Sequence, residues 1–369
     1  MTLTNYWWML IWLFLAGAFF KFVVPAAHTE YAHGKSEKRW EIGPAIILIF
    51  PYIIWAGFRG NIGDTYAYRA TFDSLPTKVG EWGDYLHEVS KDKGFSVLSL
   101  LIKAIVGNHY VAYFLILAVI QLFCIALVFR AYSSNYWFSI FIFIASTDYI
   151  SWMFNGIRQF TAVTLIFAAT PMLLKKKYVS VIGIILLAAT IHGSALLMLP
   201  IVFIIQGKAW NKRALLCICL CILALLFVDQ FTNMLDTLLS DTQYTNVVSD
   251  WEEWDDNGTN PIRVLVYSVP TILAIIGYKR IRREDNSVIN MAVNASLIST
   301  GLYLVAMATS GIFLGRLPIY VSLYATGILL PWEIEQIFTR ESGKLVKVAA
   351  VVCFIGFFYY QMHVTWGLL

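Results

Sequence analysis

Asn155-Gly156-Ile157-Arg158-Gln159 and Ile191-His192-Gly193-Ser194-Ala195 stand at the two ends of one hydrophobic excursion, which turns midway at Lys175-Lys176-Lys177. The two apolar stretches between these polar knots read as a helical hairpin dipping into a bilayer. An arginine, a glutamine and a histidine then sit at the same end of neighbouring segments. An arginine at the centre of a spanning helix costs about 2.5–3.5 kcal/mol on insertion scales. Ionisable groups kept at such a place line polar cavities, so the hairpin mouth is the first candidate site.

The rest of the chain has the same character. Hydrophobic residues make up 59% of it and charged residues only 14%, against about 25% charge in a soluble domain. Apolar runs of spanning length recur from Leu10 to Trp366, which predicts an all-α, polytopic integral membrane protein. About twelve segments qualify, near residues 6–26, 43–58, 109–130, 135–153, 157–174, 178–192, 194–207, 213–229, 262–278, 288–309, 313–332 and 345–366. No basic residue precedes the first of them, so Tyr6–Val24 reads as a retained span rather than a cleaved signal. No internal repeat is evident, and residues 1–369 read as a single transmembrane domain.

Charge gives the orientation. Strict alternation places Lys35, Lys38, Arg39, Arg130, Lys175–Lys177, Lys208, Lys212, Arg213, Lys279–Arg283, Arg340 and Lys344 on one side, the cytoplasm by the positive-inside rule. The opposite side receives the outer loops 59–94 and 230–261. The second contains no Lys or Arg but holds Asp236, Asp241, Asp250, Glu252, Glu253, Asp255 and Asp256. The net charge of +4 is spread over short loops, which points away from nucleic acid. Phe95–Gly107 is too short to span and carries Lys103, so it reads as an amphipathic or re-entrant helix on the outer face. Segment 178–192 is also short. Fourteen helical residues rise about 21 Å, less than the ~30 Å hydrocarbon layer, and this would hold His192 in a depression.

Several residues at this outer side could do chemistry. Arg158 falls in a first helical turn with Asn155 as N-cap, so a guanidinium joins unpaired N–H groups in a seat suited to phosphate. A structural pair with Asp148 is the competing reading. Ser194 starts a second outward-opening helix, and Arg316, in Gly315-Arg316-Leu317-Pro318, supplies a further cation. Arg59-Gly60-Asn61-Ile62-Gly63-Asp64 is either a glycine-turned arm returning to the membrane mouth or a solvated loop with a local Arg59–Asp64 pair. His192 suits a general base, a phosphate or sugar ligand, or a structural hydrogen-bonder. Asp64 is the competing base. Tyr66, Tyr68, Trp82, Tyr85, Trp152 and Phe154 could stack on sugar faces, although membrane interfaces collect such rings anyway.

Other signals exclude. The five cysteines lie inside apolar runs, and Cys217-x-Cys219-x-Cys221 has no His or carboxylate with it, so neither a metal site nor a disulfide framework is expected. Asn257-Gly258-Thr259 matches a glycosylation sequon only weakly. No P-loop, dinucleotide fingerprint or metal-ligand spacing appears, so no cofactor is expected. An outward-facing cationic pocket without an energy source suits an amphiphilic anion that carries its own activation, such as a lipid-linked diphosphate.

The order Arg59…Gly63-Asp64-x-x-x-Tyr68, Lys93-Gly94-Phe95, Asn155-Gly156-Ile157-Arg158-Gln159 and His192-Gly193-Ser194-Ala195 resembles the EpsG-like branch of the Wzy polysaccharide polymerases. The resemblance covers roughly residues 50–210, with a looser echo at Arg316 and Tyr320. It implies a GT-C-like architecture and a glycosyltransferase at the outer face of the bacterial plasma membrane. Undecaprenyl-diphosphate-linked oligosaccharide would be both donor and acceptor. Carried over to this chain, Arg158, Arg316 and Arg59 would hold diphosphates with Asn155 and Gln159 beside them, and His192 or Asp64 would take the acceptor proton. The resemblance also brings a chain-length regulator into view as a protein partner. Two other readings share the layout: a ligase moving finished glycan to another acceptor, and a flippase for a lipid-linked sugar.

Overall fold

Polar breaks in the sequence become helix caps. Asn135, Asn211, Asn260 and Asn286 each accept a first-turn N–H, from Phe138 at 3.1 Å and from Ala214, Ile262 and Val288 at 2.9 Å. Each thereby satisfies a donor that has no partner inside its helix. Pro261 follows Asn260 at the first helical position, where its missing N–H costs nothing. The computed structural model describes residues 6–24, 26–32, 35–239 and 256–369, side chains at 29–38 and 239 excepted.

The chain is nearly all-α. Among the described residues the exception is an antiparallel hairpin, β1 (Ala27–Ala32) with β2 (Lys35–Trp40), in register from Ala27↔Trp40 to Ala32↔Lys35. It occupies a stretch that reads as a basic loop in the sequence. The chain forms two compact units, residues 1–197 with 340–369, and residues 198–339.

In the first unit the helices are α1 (Trp7–Phe22), α2 (Ile42–Gly57), α3 (Thr65–Ser74), α4 (Trp82–Glu88), α5 (Lys93–Val106), α6 (Tyr110–Tyr132), α7 (Tyr136–Ala145), α8 (Asp148–Asn155), α9 (Ile157–Ala168), α10 (Thr170–Leu174) and α11 (Tyr178–Ile191). The C-terminal helix Arg340–Tyr360 returns to this unit, where Phe354 meets Phe141 and Tyr359 stacks on Trp7. Large aromatics fill the interior, among them Tyr52, Tyr113, Phe114, Tyr149 and Phe160. Gln121 on α6 donates to Ile157 O (3.2 Å) and Thr161 Oγ1 (2.9 Å), which pins the first turn of α9.

The second unit is arranged around the buried helix Ser287–Met307. Asn294 on it donates to Ile205 O and Lys208 O, both at 3.0 Å, and Thr300 shares a hydrogen bond with Thr271 at 2.8 Å. Of the acidic residues in loop 230–261, Asp236 and Asp256 are described; Asp241, Asp250, Glu252, Glu253 and Asp255 lie outside the described residues.

Each of the twelve apolar segments carries helix, but of uneven length. Among the described residues four helices are long and apolar enough to cross a membrane: Tyr110–Tyr132, Ser287–Met307, Leu314–Gln336 and Arg340–Thr365. Three bent pairs, broken by 68°, 107° and 72°, raise the count to seven if each pair is one crossing. The first break falls at Thr147, whose φ of +64° interrupts α7 and α8. Twelve crossings therefore do not follow from helix length. Segment 95–107 is helical as expected, from Lys93 to Val106. Lys103, which seemed out of place in the sequence, is buried and donates to Phe72 O (2.7 Å) and Asp73 O (2.9 Å). Its ammonium thus caps the carbonyl end of α3, where a cation is favoured.

Candidate functional site

Three helix ends of the first unit meet at one carboxylate. Asp92 precedes α5, Arg158 lies in the first turn of α9, and the His192-Gly193 loop leaves the end of α11. Arg158 Nη1 donates to Asp92 Oδ2 at 2.9 Å, and the Gly193 N–H donates to the same carboxylate. Arg158 Nε reaches the Tyr68 hydroxyl at 3.4 Å. Asp92 is nearly enclosed, with 8% of its side chain exposed, whereas Arg158 keeps 42% exposed. The guanidinium is therefore anchored on one edge and open on another.

Local backbone explains the approach. Gly94, at the start of α5, packs so closely on α11 that a Cβ there would lie 2.1 Å from Thr190 Oγ1 and 2.8 Å from the Thr190 carbonyl carbon. Asp92 adopts φ +53°, a left-handed conformation that aspartate tolerates better than most residues. On the other side, Gly63 (φ +53°) lets the 59–64 arm fold against the end of α8, where a Cβ would meet Phe154 O at 3.1 Å. The last five residues of α8, Ser151–Asn155, form a π-turn. Such turns often mark functional positions. This one brings the Asn155 amide against Asp64; with the amide assigned so that its nitrogen faces the carboxylate, it donates to both oxygens at 3.0 and 3.2 Å.

These groups border a cavity of about 360 Å³. Asp64, Tyr68, Asp92 and Arg158 line it, with Lys91 and Tyr85 beside them and Phe72, Phe95, Ser99 and Tyr113 among the buried lining. Burial pushes the Asp92 carboxyl above its ordinary range; Arg158, the Gly193 amide and Lys91 pull it back only part of the way. Burial likewise raises the Tyr68 phenol against the opposing pull of Arg158.

Asp64, Asn155 and Arg158 thus come together as the sequence suggested, though two roles differ. The N-cap of α9 is Gly156, and Asn155 instead holds Asp64. Arg158 pairs with Asp92 and not with Asp148, whose oxygens take Trp152 Nε1 (3.1 Å) and Ser146 Oγ (3.2 Å). Asp92 was hidden between two lysines in a polar loop. The signal that could have found it is the following glycine, which lets α5 start against another helix end. His192 is half-buried and its Nδ1 shares a 2.7 Å hydrogen bond with Ser194 Oγ. Ser194 belongs to a 3-10 turn, Gly193–Leu197, and not to a regular helix start. His192 does not line the cavity; it connects to it through the Gly193–Asp92 bond. Gln159 is buried in α9. Arg59 turns into the interior, with its guanidinium 4.3 Å from both the Phe114 and Phe154 ring centroids and donating to Ala56 O and Met153 O. Trp152 and Phe154 are buried, Tyr66 is exposed, and Tyr68 and Tyr85 face the cavity.

In the second unit, Arg316 ends a 3-10 turn, Leu314–Arg316. Asp256 fixes the preceding loop by accepting from Ser310 Oγ (2.6 Å), Gly311 N and Ile312 N (2.9 Å each) and Gly258 N (3.1 Å). Burial alone would raise this carboxyl, but the four donors outweigh it and hold it below the ordinary range.

The profile of the EpsG family matches residues 44–366 of the chain. The chain belongs to the EpsG family. That is a family of exopolysaccharide, Wzy-like polymerases. The match extends well past the 50–210 stretch on which the resemblance rests, and takes in Asp256 and Arg316. No curated protein and no solved structure matches the chain. EpsG membership and the apolar helices together make this a membrane protein of the polysaccharide-polymerase type. Among the described residues, no three His, Cys, Asp or Glu side chains converge as metal ligands.

Proposed function

We propose that this EpsG-family chain is a glycosyltransferase that polymerises undecaprenyl-diphosphate-linked oligosaccharide repeat units at the outer face of the bacterial plasma membrane. In this reading the apolar segments make twelve crossings in a GT-C-like arrangement, with the short ones lining a depression in the bilayer. The observation that carries the reading is the shared carboxylate of Asp92. It gathers an accessible arginine at a helix N-terminus and the loop after His192 at the edge of one cavity.

The step is a displacement at the anomeric carbon of the donor. The acceptor sugar's hydroxyl oxygen forms the new C–O bond. The bond from that carbon to the diphosphate oxygen breaks, and its electron pair leaves with the lipid diphosphate. The hydroxyl proton passes to His192 or Asp64. Arg158, oriented by Asp92 and Tyr68, meets the charge growing on the leaving group, the kind of preorganised donor that stabilises a transition state. The resemblance also makes Arg316 a candidate diphosphate-holding residue of the second unit. Arg59 acts on the fold that carries Asp64 and Phe154.

The test is to mix the purified chain, in lipid nanodiscs, with lipid-linked repeat units and no nucleotide. Longer glycans are expected from wild type. If Arg158→Ala and His192→Ala both extend chains at the wild-type rate, the site assignment is wrong.

A further inference from the structure

The cavity beside Arg158 has the wrong chemistry for a diphosphate and for a lipid tail. Two carboxylates, Asp64 and Asp92, face two cations, Arg158 and Lys91, so the lining is balanced in charge. A multiply charged anion would gain little there. An isoprenyl chain would strand two carboxylates against hydrocarbon, which is costly. A neutral polyhydroxylated ring satisfies both kinds of wall. Its hydroxyls donate to the carboxylates, and its C–H faces lie on aromatic rings. Such rings are present in Tyr68, set edge-on to Phe95 at 6.0 Å, and in Tyr85 on the accessible lining. In the buried lining, Ser99 Oγ and Tyr113 Oη share a 3.1 Å hydrogen bond in which either can donate, so the pair can serve a partner of either polarity. The volume, about 360 Å³, lies in the range of ~300–1,000 Å³ typical of small-molecule sites.

We infer that this cavity is a neutral-sugar subsite, which seats a glycan ring of the repeat unit while the diphosphate lies outside it on the open edge of Arg158. The inference rests on the polymerase reading for the identity of the glycan, but the cavity chemistry can be tested without chain growth. The probe is the phosphate-free repeat-unit glycan, released by mild acid from the host's own lipid-linked oligosaccharide. Binding to the full chain in nanodiscs is followed by saturation-transfer NMR, with inorganic pyrophosphate as competitor.

Wild type is expected to bind the glycan, and pyrophosphate is expected not to displace it. Tyr85→Ala and Thr71→Trp, both on the accessible lining where folding is least at risk, should each weaken glycan binding by about tenfold, as loss of one good contact does. Unchanged helicity and size-exclusion behaviour would show that both variants are folded. No glycan binding by wild type, displacement by pyrophosphate, or wild-type binding by both folded variants would each overturn the subsite. If the glycan binds in this cavity-dependent way while lipid-linked units are never extended, the subsite stands and the polymerase reading falls.

Discussion

Two arginines of the first unit are handled in opposite ways. Arg59 is buried between Phe114 and Phe154, with described hydrogen bonds to backbone carbonyls. Arg158, one loop away, is held by a carboxylate and a phenol yet remains 42% exposed. Aromatic faces and carbonyls stabilise a guanidinium without leaving an edge for a ligand, so Arg59 serves as a brace. A carboxylate on one edge only orients the group and leaves donors outward, which suits Arg158 to the proposed role of a seat. Side-chain type does not separate the two roles. Surroundings do.

The largest effect should come from emptying the seat. Arg158→Ala is expected to lower chain growth by about 10²–10³-fold, the scale of losing one preorganised donor, out of proportion to the small drop in thermal midpoint expected from leaving the Asp92 carboxylate without its guanidinium. Arg158→Lys should recover part of it, since a lysine keeps the charge but not the fork. Arg59→Ala should do the reverse. It removes a desolvated cation–π contact and orphans buried carbonyls, worth together about 2–3 kcal/mol of stability, read as a lowered unfolding midpoint. If Arg59→Ala keeps wild-type stability and loses activity, the brace is in truth a ligand.

A smaller effect concerns pH. Because burial raises the Asp92 carboxyl, it takes up its proton at a higher pH than a free aspartate near 3.9. The Arg158–Asp92 pair is then present above that raised value and is lost as the pH falls through it. Wild-type activity should show this acid limb, and Asp92→Asn should abolish it while lowering the plateau by about tenfold through a less well oriented guanidinium. The smallest effect belongs to the second unit. Asp256, held below the ordinary range, contributes stability above the unfolded value near 3.9 that is lost as the pH falls through its lowered one. Asp256→Ala should cost about 1–2 kcal/mol, seen as faster hydrogen exchange over residues 310–316 with the first unit unaffected.

Much of this was legible in the sequence, for particular reasons. Hydropathy located the helices because a lipid-facing or core-facing helix cannot hide its composition. The Arg158 and His192 motifs flagged the site because polar groups at the ends of apolar runs are rare. Asp92 escaped because a charged residue among charged neighbours looks like any solvated loop; only the tertiary approach of α5 to α11 buries it. Arg59 looked like a ligand for the same reason, its ring sandwich being built by residues far along the chain. Crossing number was the weakest inference. The φ of Thr147 breaks the 135–153 segment, and five further segments form apolar helices of only 10–17 residues, a shortness that hydropathy alone does not register. The hairpin of β1 and β2 lay in a stretch that charge alone had marked as loop.

The contact between Gly94 and Thr190 sets a one-atom tolerance on the whole constellation. Adding a single methyl at position 94 would wedge α5 from α11 and so part Asp92 from the Gly193 amide, far more disruptive than its size suggests. Trimming Thr190 to glycine would relieve the hydroxyl and Cβ but not the backbone carbon 2.8 Å away. Second-site suppression should therefore be partial at best, and laboratory selections for higher activity should find this position closed in every direction.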